Sequence, residues 1–224
     1  MSTSRPRPPV GTLLFDLDGT VLDTIDLILA SYEHVHRREF PEEPFDPEYY
    51  RSRVGVPLRG VFTERVGEDP ERISALIDLY RGHNLAEHDA RVTSFEGVPG
   101  MLDAARARGV RTAIVTSKMR ETTERGLRLV GLLEHFEVMV TIDDVVHHKP
   151  HPEPVIRALS LLKVGPEEAL FVGDAPADIG CGRAAGVRTG AALWGPFHRE
   201  ELLPHGPDHL IEHPAQILDL LGEA

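Results

Sequence analysis

Short apolar runs recur along this chain, and each breaks off into polar residues. Residues 10–15 (V-G-T-L-L-F) run directly into acidic residues and Gly19, the pattern of a parallel strand buried on both faces that opens into a loop. Comparable runs occupy 111–115, 138–141, 170–172 and 187–193, and helical periodicity fills 99–108, 121–129, 152–162 and 177–185. Strands alternating with helices predict βαβ units and a mostly parallel sheet.

One interval breaks this rhythm. Residues 22–92 show helical patterns at about 24–37, 47–54, 58–66 and 70–88, punctuated by Pro41, Pro44, Pro57 and Pro70, and no strand pattern. A wholly helical segment inserted after the first strand reads as a cap over the sheet edge. The expectation is therefore an α/β protein: a Rossmann-like doubly wound parallel sheet core, residues 1–22 and 94–224, with an inserted all-helical cap, residues 23–93. Thr24 and residues 93–97 would flank its hinges.

Composition narrows the class without naming a function. A chain of 224 residues, 41% hydrophobic and 27% charged, suits one α/β core carrying a small accessory unit. The formal net charge of −12 repels nucleic-acid phosphates and anionic membrane surfaces, so neither is expected as a partner. No apolar run approaches the ~20 residues needed to span a bilayer, and residues 1–9 are polar and proline-rich rather than signal-like. A cytoplasmic protein, monomeric or weakly dimeric, is expected. Cys181 is the only cysteine, so no intrachain disulfide forms, and it reads as a small packing residue.

The candidate chemistry sits at the ends of the apolar runs. D-L-D-G-T supplies Asp16, Asp18 and Thr20; Thr116, Ser117 and Lys118 follow the second run; Lys149 stands in H-K-P-H-P-E-P; and G-D-A-P-A-D supplies Asp174 and Asp178. In a doubly wound sheet the carboxyl ends of the strands line one crevice, so these separate segments converge. In order and spacing they resemble the haloacid dehalogenase superfamily, in its branch with a helical cap after the first motif, over nearly the whole chain. That resemblance implies a phosphohydrolase with Asp16 as nucleophile and Asp18 as general acid and base. Thr116 and Ser117 would bind the phosphoryl group, and Lys149 would supply positive charge to it. It also implies Mg²⁺ held by Asp16, Asp174 and the main-chain carbonyl of Asp18. Asp178 would reach the metal through water or cap the following helix, and Ala175 replaces the serine or asparagine of many relatives.

Physical chemistry makes this set coherent. A carboxylate attacking phosphorus splits one hard hydrolysis into two easier displacements. Like charges 4 Å apart repel by ~4 kcal/mol at an effective dielectric of 20, so a divalent cation and a lysine are needed to let the anions meet. Magnesium suits all-oxygen ligation. For Asp18 to carry a proton near neutrality, a closed, buried site is required. The loop R-V-G-V-P-L-R-G offers Arg53 and Arg59 as substrate contacts from the cap. Residues 114–122, 141–145 and 149–154 look like the inorganic pyrophosphatase branch of the superfamily, with phosphoglycolate phosphatase and phosphosugar mutase as alternatives. A non-catalytic phosphate-binding regulator is the alternative of another class, while a true dehalogenase is disfavoured because it needs neither metal nor Asp18. His147, His148 and His151 lack the helical or hairpin spacing of a structural zinc site, and Trp194 reads as a packing anchor.

Overall fold

The computed structural model describes residues 8–221; the start at 1–7 and the last three residues, parts of the expected core segments, lie outside the described residues. The apolar runs form β1 (Thr12–Phe15), β4 (Arg111–Val115), β5 (Val138–Val140), β6 (Ala169–Gly173) and β7 (Arg188–Ala192), and a further strand, β8 (His209–Ile211), joins them. All neighbours in this six-stranded sheet pair in parallel, in the order β5-β4-β1-β6-β7-β8. This is the doubly wound Rossmann order, with chain direction across the sheet reversing between β1 and β6.

The continuous apolar reading of β1 has a direct cause. Leu13 and Phe15 pack on one face with Leu102 of α5 (Val98–Ala107) and Leu127 of α6 (Arg120–Leu129). Leu14 packs on the other face with Val155 and Leu159 of α7 (Glu153–Leu162) and Cys181 of α8 (Pro176–Ala185). Both faces are covered, so the strand is apolar from Leu13 to Phe15 and its one polar residue, Thr12, is buried. Cys181 is buried, and burial pushes its thiol up to about 12, which suits the packing role read from its isolation.

Between β2 (Leu22–Asp23) and β3 (Thr93–Ser94) lie α1 (Ile25–Glu39), α2 (Pro47–Arg51), α3 (Leu58–Val66) and α4 (Pro70–Arg91). Asp46 caps α2 by accepting from the N–H groups of Glu48 and Tyr49, and Asp69 caps α4 by accepting from Arg72; each precedes a proline at the first helical position. Tyr32 is the centre of the insert, packed against Tyr50, Phe62 and Tyr80 at ring separations of 4.6, 6.0 and 4.8 Å. This cluster continues into Ala175 and Ile179 of the α8 region, Ala191 of β7 and Phe197 beyond it.

Three elements differ from the sequence reading. The interval 22–92 is not wholly helical at its edges, because β2 and β3 pair antiparallel, Leu22 with Ser94 and Asp23 with Thr93, to form a two-stranded neck. α2 stops at Arg51 rather than 54, since the N–H groups of Arg53 and Val54 turn back to Tyr50 and Arg51 three residues away and Gly55 then adopts φ 87°. β8 went unseen because it is three residues long and buries only Ile211.

Phe62 is fully buried within the aromatic cluster. Truncating it to alanine leaves a cavity and should destabilise the protein by about 3–5 kcal/mol, read as a lowered urea midpoint at unchanged m-value.

Candidate active site

Each strand end delivers its residue to one place. β1 ends at Phe15, so Asp16 stands at the carboxyl edge of the sheet, fixed by its own N–H donating to Val172 O of β6 at 2.9 Å. β6 ends at Gly173, which places Asp174 beside it at the point where the sheet order reverses. Gly19 (φ 86°) brings the first motif against Asp174 so closely that a Cβ there would lie 2.6 Å from Asp174 Oδ2; a Cβ on Gly195 would lie 2.3 Å from Asp174 Cβ. Only glycine permits both approaches.

Lys149 reaches this edge from the loop before α7, its side chain 2% exposed, with Nζ 2.8 Å from Asp16 Oδ1 and 2.6 Å from Asp178 Oδ1. Thr20 Oγ1 donates to Asp174 Oδ1 at 2.5 Å. Asp178 also accepts from the N–H of Ala175 at 3.0 Å, closing the first turn of α8. Its place is therefore beside Lys149 as well as at the helix start. Its carboxylate, with those of Asp16 and Asp174, offers oxygens all within 4.8 Å of one another.

Burial raises the Asp16 carboxyl from 3.8 to about 7, reinforced by the negative charge of Asp178 and opposed by Lys149. Asp174 is raised well above its ordinary value by burial and by the charges of Asp16 and Asp178. For Lys149 burial works against the charged form, yet the two carboxylates outweigh it and hold the ammonium firmly protonated.

Asp18 lies apart from this cluster. It is half-buried, accepting from Lys118 Nζ at 2.8 Å and Thr24 Oγ1 at 2.6 Å. Thr24 thereby gives up capping α1 with its side chain and ties the neck of the helical insert to the first motif. Lys118 was noted in sequence only as a neighbour of Thr116; its place next to Asp18 is set by the sheet, which lays β4 beside β1. Thr116 is buried and its hydroxyl accepts from the Lys118 N–H at 3.1 Å. Among the described residues, neither Ser117 Oγ nor Asp174 Oδ2 has a hydrogen-bond partner although both atoms are buried.

A cavity of about 730 Å³ opens over these groups, between the sheet edge and the helical insert, reaching from Asp16, Asp18 and Thr116 to Tyr32, Tyr80 and Arg59. Arg53 also lines it, with its guanidinium 3.7 Å from the Tyr49 ring centroid and bonded to Glu64 and to Tyr49 O. Arg59 is exposed on the same wall. Ala175 is buried facing Gly55 of the insert loop, where a Cβ on Gly55 would lie 3.6 Å from its own. Trp194 packs on the main core and donates from Nε1 to Thr20 O at 2.9 Å, bracing the first motif.

The sequence profile of the haloacid dehalogenase-like hydrolases matches residues 13–192. The chain belongs to this family. It is a phosphatase-type hydrolase. It is 40% identical over 213 residues to the pyrophosphatase PpaX of Anoxybacillus flavithermus, covering 95% of this chain and 97% of that one, and equally identical to PpaX of Bacillus pumilus over the same span. Among solved structures, a haloacid dehalogenase-like hydrolase from Bacteroides fragilis superposes with a TM-score of 0.87 at 26% identity, covering 93% of this chain and 99% of that one. A phosphoglycolate phosphatase-like protein from Lactobacillus plantarum gives 0.83 at 25% identity, covering 96% and 100%.

Haloacid dehalogenase-like hydrolases generally use a divalent cation, and the residues of this chain fit one. One ammonium stands among three buried carboxylates, and Asp174 Oδ2 lacks any hydrogen-bond donor among the described residues. Asp16 and Asp174, with Asp178 nearby, are the groups that would hold the ion.

The raised Asp16 carboxyl has a consequence for stability. Its folded value of about 7 lies above the ordinary 3.8, so the folded state holds a proton the unfolded state gives up, and the stability this contributes is lost as pH rises through about 7. With all divalent cations chelated, the Tm should fall between pH 5 and pH 8. Added divalent cation should restore it at pH 8, and Asp16→Asn should make the metal-free decline shallower; thermal unfolding followed by circular dichroism checks all three.

Proposed function

We propose that this hydrolase is a magnesium-dependent phosphohydrolase that works through an aspartyl-phosphate on Asp16 and acts on inorganic pyrophosphate. The observation that carries the substrate is the 40% identity to named pyrophosphatases over 95% of the chain. Asp16, which lines the cavity and pairs with the buried Lys149 behind it, supports the chemistry. Magnesium is favoured because the gathered groups are all carboxylate oxygens.

In this reading Asp16 attacks phosphorus while Lys149 stays beside both the nucleophile and the oxygens on which charge develops. The bound cation neutralises carboxylate and phosphate repulsion. Ser117 Oγ, buried and without a partner among the described residues, and Thr116 donate to the phosphoryl group. Asp18 serves as acid toward the leaving oxygen and then as base toward water, turning from Lys118 and Thr24 to do so. Residues 23–93 act as a cap hinged at the β2–β3 neck, on a core formed by the remainder. Arg59, on the cavity wall, meets the second phosphate. No described helix is long and apolar enough to cross a membrane, and the proposed substrate is a small phosphorylated metabolite of the cytoplasm.

A second reading is favoured by the cavity itself. Its 730 Å³ and its wall of Ile28, Tyr32, Val56 and Tyr80 leave room for an organic phosphate, and phosphoglycolate is its representative given the likeness to the Lactobacillus plantarum protein. Arginine binds carboxylate and phosphate alike, so Arg59 serves either leaving group.

Kinetics on the purified protein with Mg²⁺ decide between them: kcat/KM for pyrophosphate should equal or exceed that for phosphoglycolate, and a clear preference for phosphoglycolate establishes the second reading. Asp16→Asn should lower kcat by at least about 10⁴-fold on either substrate, and trapped phosphoryl label should map to Asp16. Arg59→Ala should raise KM roughly tenfold for pyrophosphate and less for phosphoglycolate.

A further inference from the structure

Just outside the cavity, the loop that carries Lys149 folds its histidines into a second cluster. The His147 and His151 rings lie 4.5 Å apart by centroid, tilted by 32°. Beside them stands Glu153, the first residue of α7. Its carboxylate accepts from Val146 N–H at 2.9 Å, His147 N–H at 3.0 Å and His147 Nδ1 at 2.7 Å, while His151 Nδ1 stands 4.0 Å away. One ligand atom from each of His147, His151 and Glu153 lies within 4.8 Å of the other two.

We propose that His147, His151 and Glu153 form a binding site for a transition-metal dication of borderline softness, with Zn²⁺ as its representative, distinct from the Asp16, Asp174 and Asp178 centre. Two imidazoles and one carboxylate with an open position for water match the donor set such ions take in three-ligand sites. Hard, strongly hydrated Mg²⁺ has little affinity for imidazole, so the two sites sort their ions by ligand type.

The geometry needs little rearrangement. Bonds of 2.0–2.1 Å at tetrahedral angles put ligand atoms about 3.3 Å apart. Closing from 4.8 Å takes rotation of two exposed imidazoles about a fixed carboxylate. Glu153 is the fixed point: the N–H groups of Val146 and His147 and the His147 ring hold its carboxylate in place, and the Val146 N–H and then the His147 ring hold its carboxyl down at about 2. His147 now shares its Nδ1 proton with Glu153; on binding, the neutral ring passes to the Nε2–H tautomer, with Nε2 in water, and Nδ1 offers its lone pair. His151 Nδ1 accepts from the Glu153 N–H at 3.2 Å, a weak bond that rotation toward the ion replaces. The net charge of −12 draws cations to the surface.

The spacing is His-x₃-His-x-Glu, and Lys149 and Pro150 lie between the two histidines. An ion held there ties together both ends of the segment that presents Lys149 to Asp16. The histidines alone have no metal-site spacing; Glu153, supplied by the start of α7, makes the set.

Isothermal titration of Zn²⁺ into the full chain, kept in saturating Mg²⁺ so that the carboxylate centre is filled, tests the proposal. One Zn²⁺ per chain should bind, and His147→Ala and His151→Ala should each weaken it roughly tenfold or more through loss of one ligand. Asp174→Ala should leave it unchanged. Both histidine variants should keep their Mg²⁺-supported turnover, which reports an intact fold. Zn²⁺ binding that survives both histidine substitutions, or that Asp174→Ala removes, overturns the site, as does the absence of binding to the unaltered chain.

Discussion

The structure depends on holding Lys149 between Asp16 and Asp178, with all three side chains almost wholly buried. Three carboxylates and one ammonium share that place, and an unbalanced buried charge is among the most destabilising arrangements a fold can contain. The arrangement persists because every participant is anchored by the sheet. Asp16 and Asp174 end adjacent strands, Asp178 is bonded into the first turn of α8, and Gly19 and Gly195 let the backbone close around Asp174. The same excess of negative charge that strains the protein would draw a dication to the centre. Stability and catalysis draw here on one electrostatic term.

The helical insert is fixed by a different force. Tyr32, Tyr50, Phe62 and Tyr80 form a core that continues into Ala175, Ile179 and Phe197, so the burial that folds the insert also seats it on the sheet edge. Arg51 adds directional contacts, donating to Glu201 at 2.7 Å and Pro196 O at 2.6 Å beside the Phe197 ring. The neck of β2 and β3, with Thr24 bonded to Asp18, leads from this packing to the first motif. The cavity over Asp16 takes its width from where that apolar seat lies, which links insert packing to the space a substrate occupies.

Much of this was legible in the chain. Both-face burial makes β1, β4, β6 and β7 read as mainly apolar runs, and Pro47 and Pro70 behind capping aspartates announce α2 and α4. The short strands were not legible. β2, β3 and β8 have two or three residues each, fewer than a period-2 pattern needs to declare itself. The partners of Arg53 and Lys118, Glu64 and Asp18, are not legible for a related reason: a long cationic side chain has several anions within reach, and sequence does not say which one it meets.

What the sequence determined by itself was local: which segments form the longer strands and helices, which strand ends carry Asp16, Thr116 and Asp174, and that Lys149 precedes a helix. Those follow from interactions among neighbours in the chain and from the rule that parallel strands present their carboxyl ends together. What only the tertiary structure decided was who pairs with whom. Asp178 went to Lys149, Lys118 to Asp18, Arg53 to Glu64, and Glu153 to His147. The reason is physical. Hydrophobic patterning acts through backbone periods that sequence displays, whereas an ion pair depends on distances of a few ångströms between side chains brought together only when the core has closed.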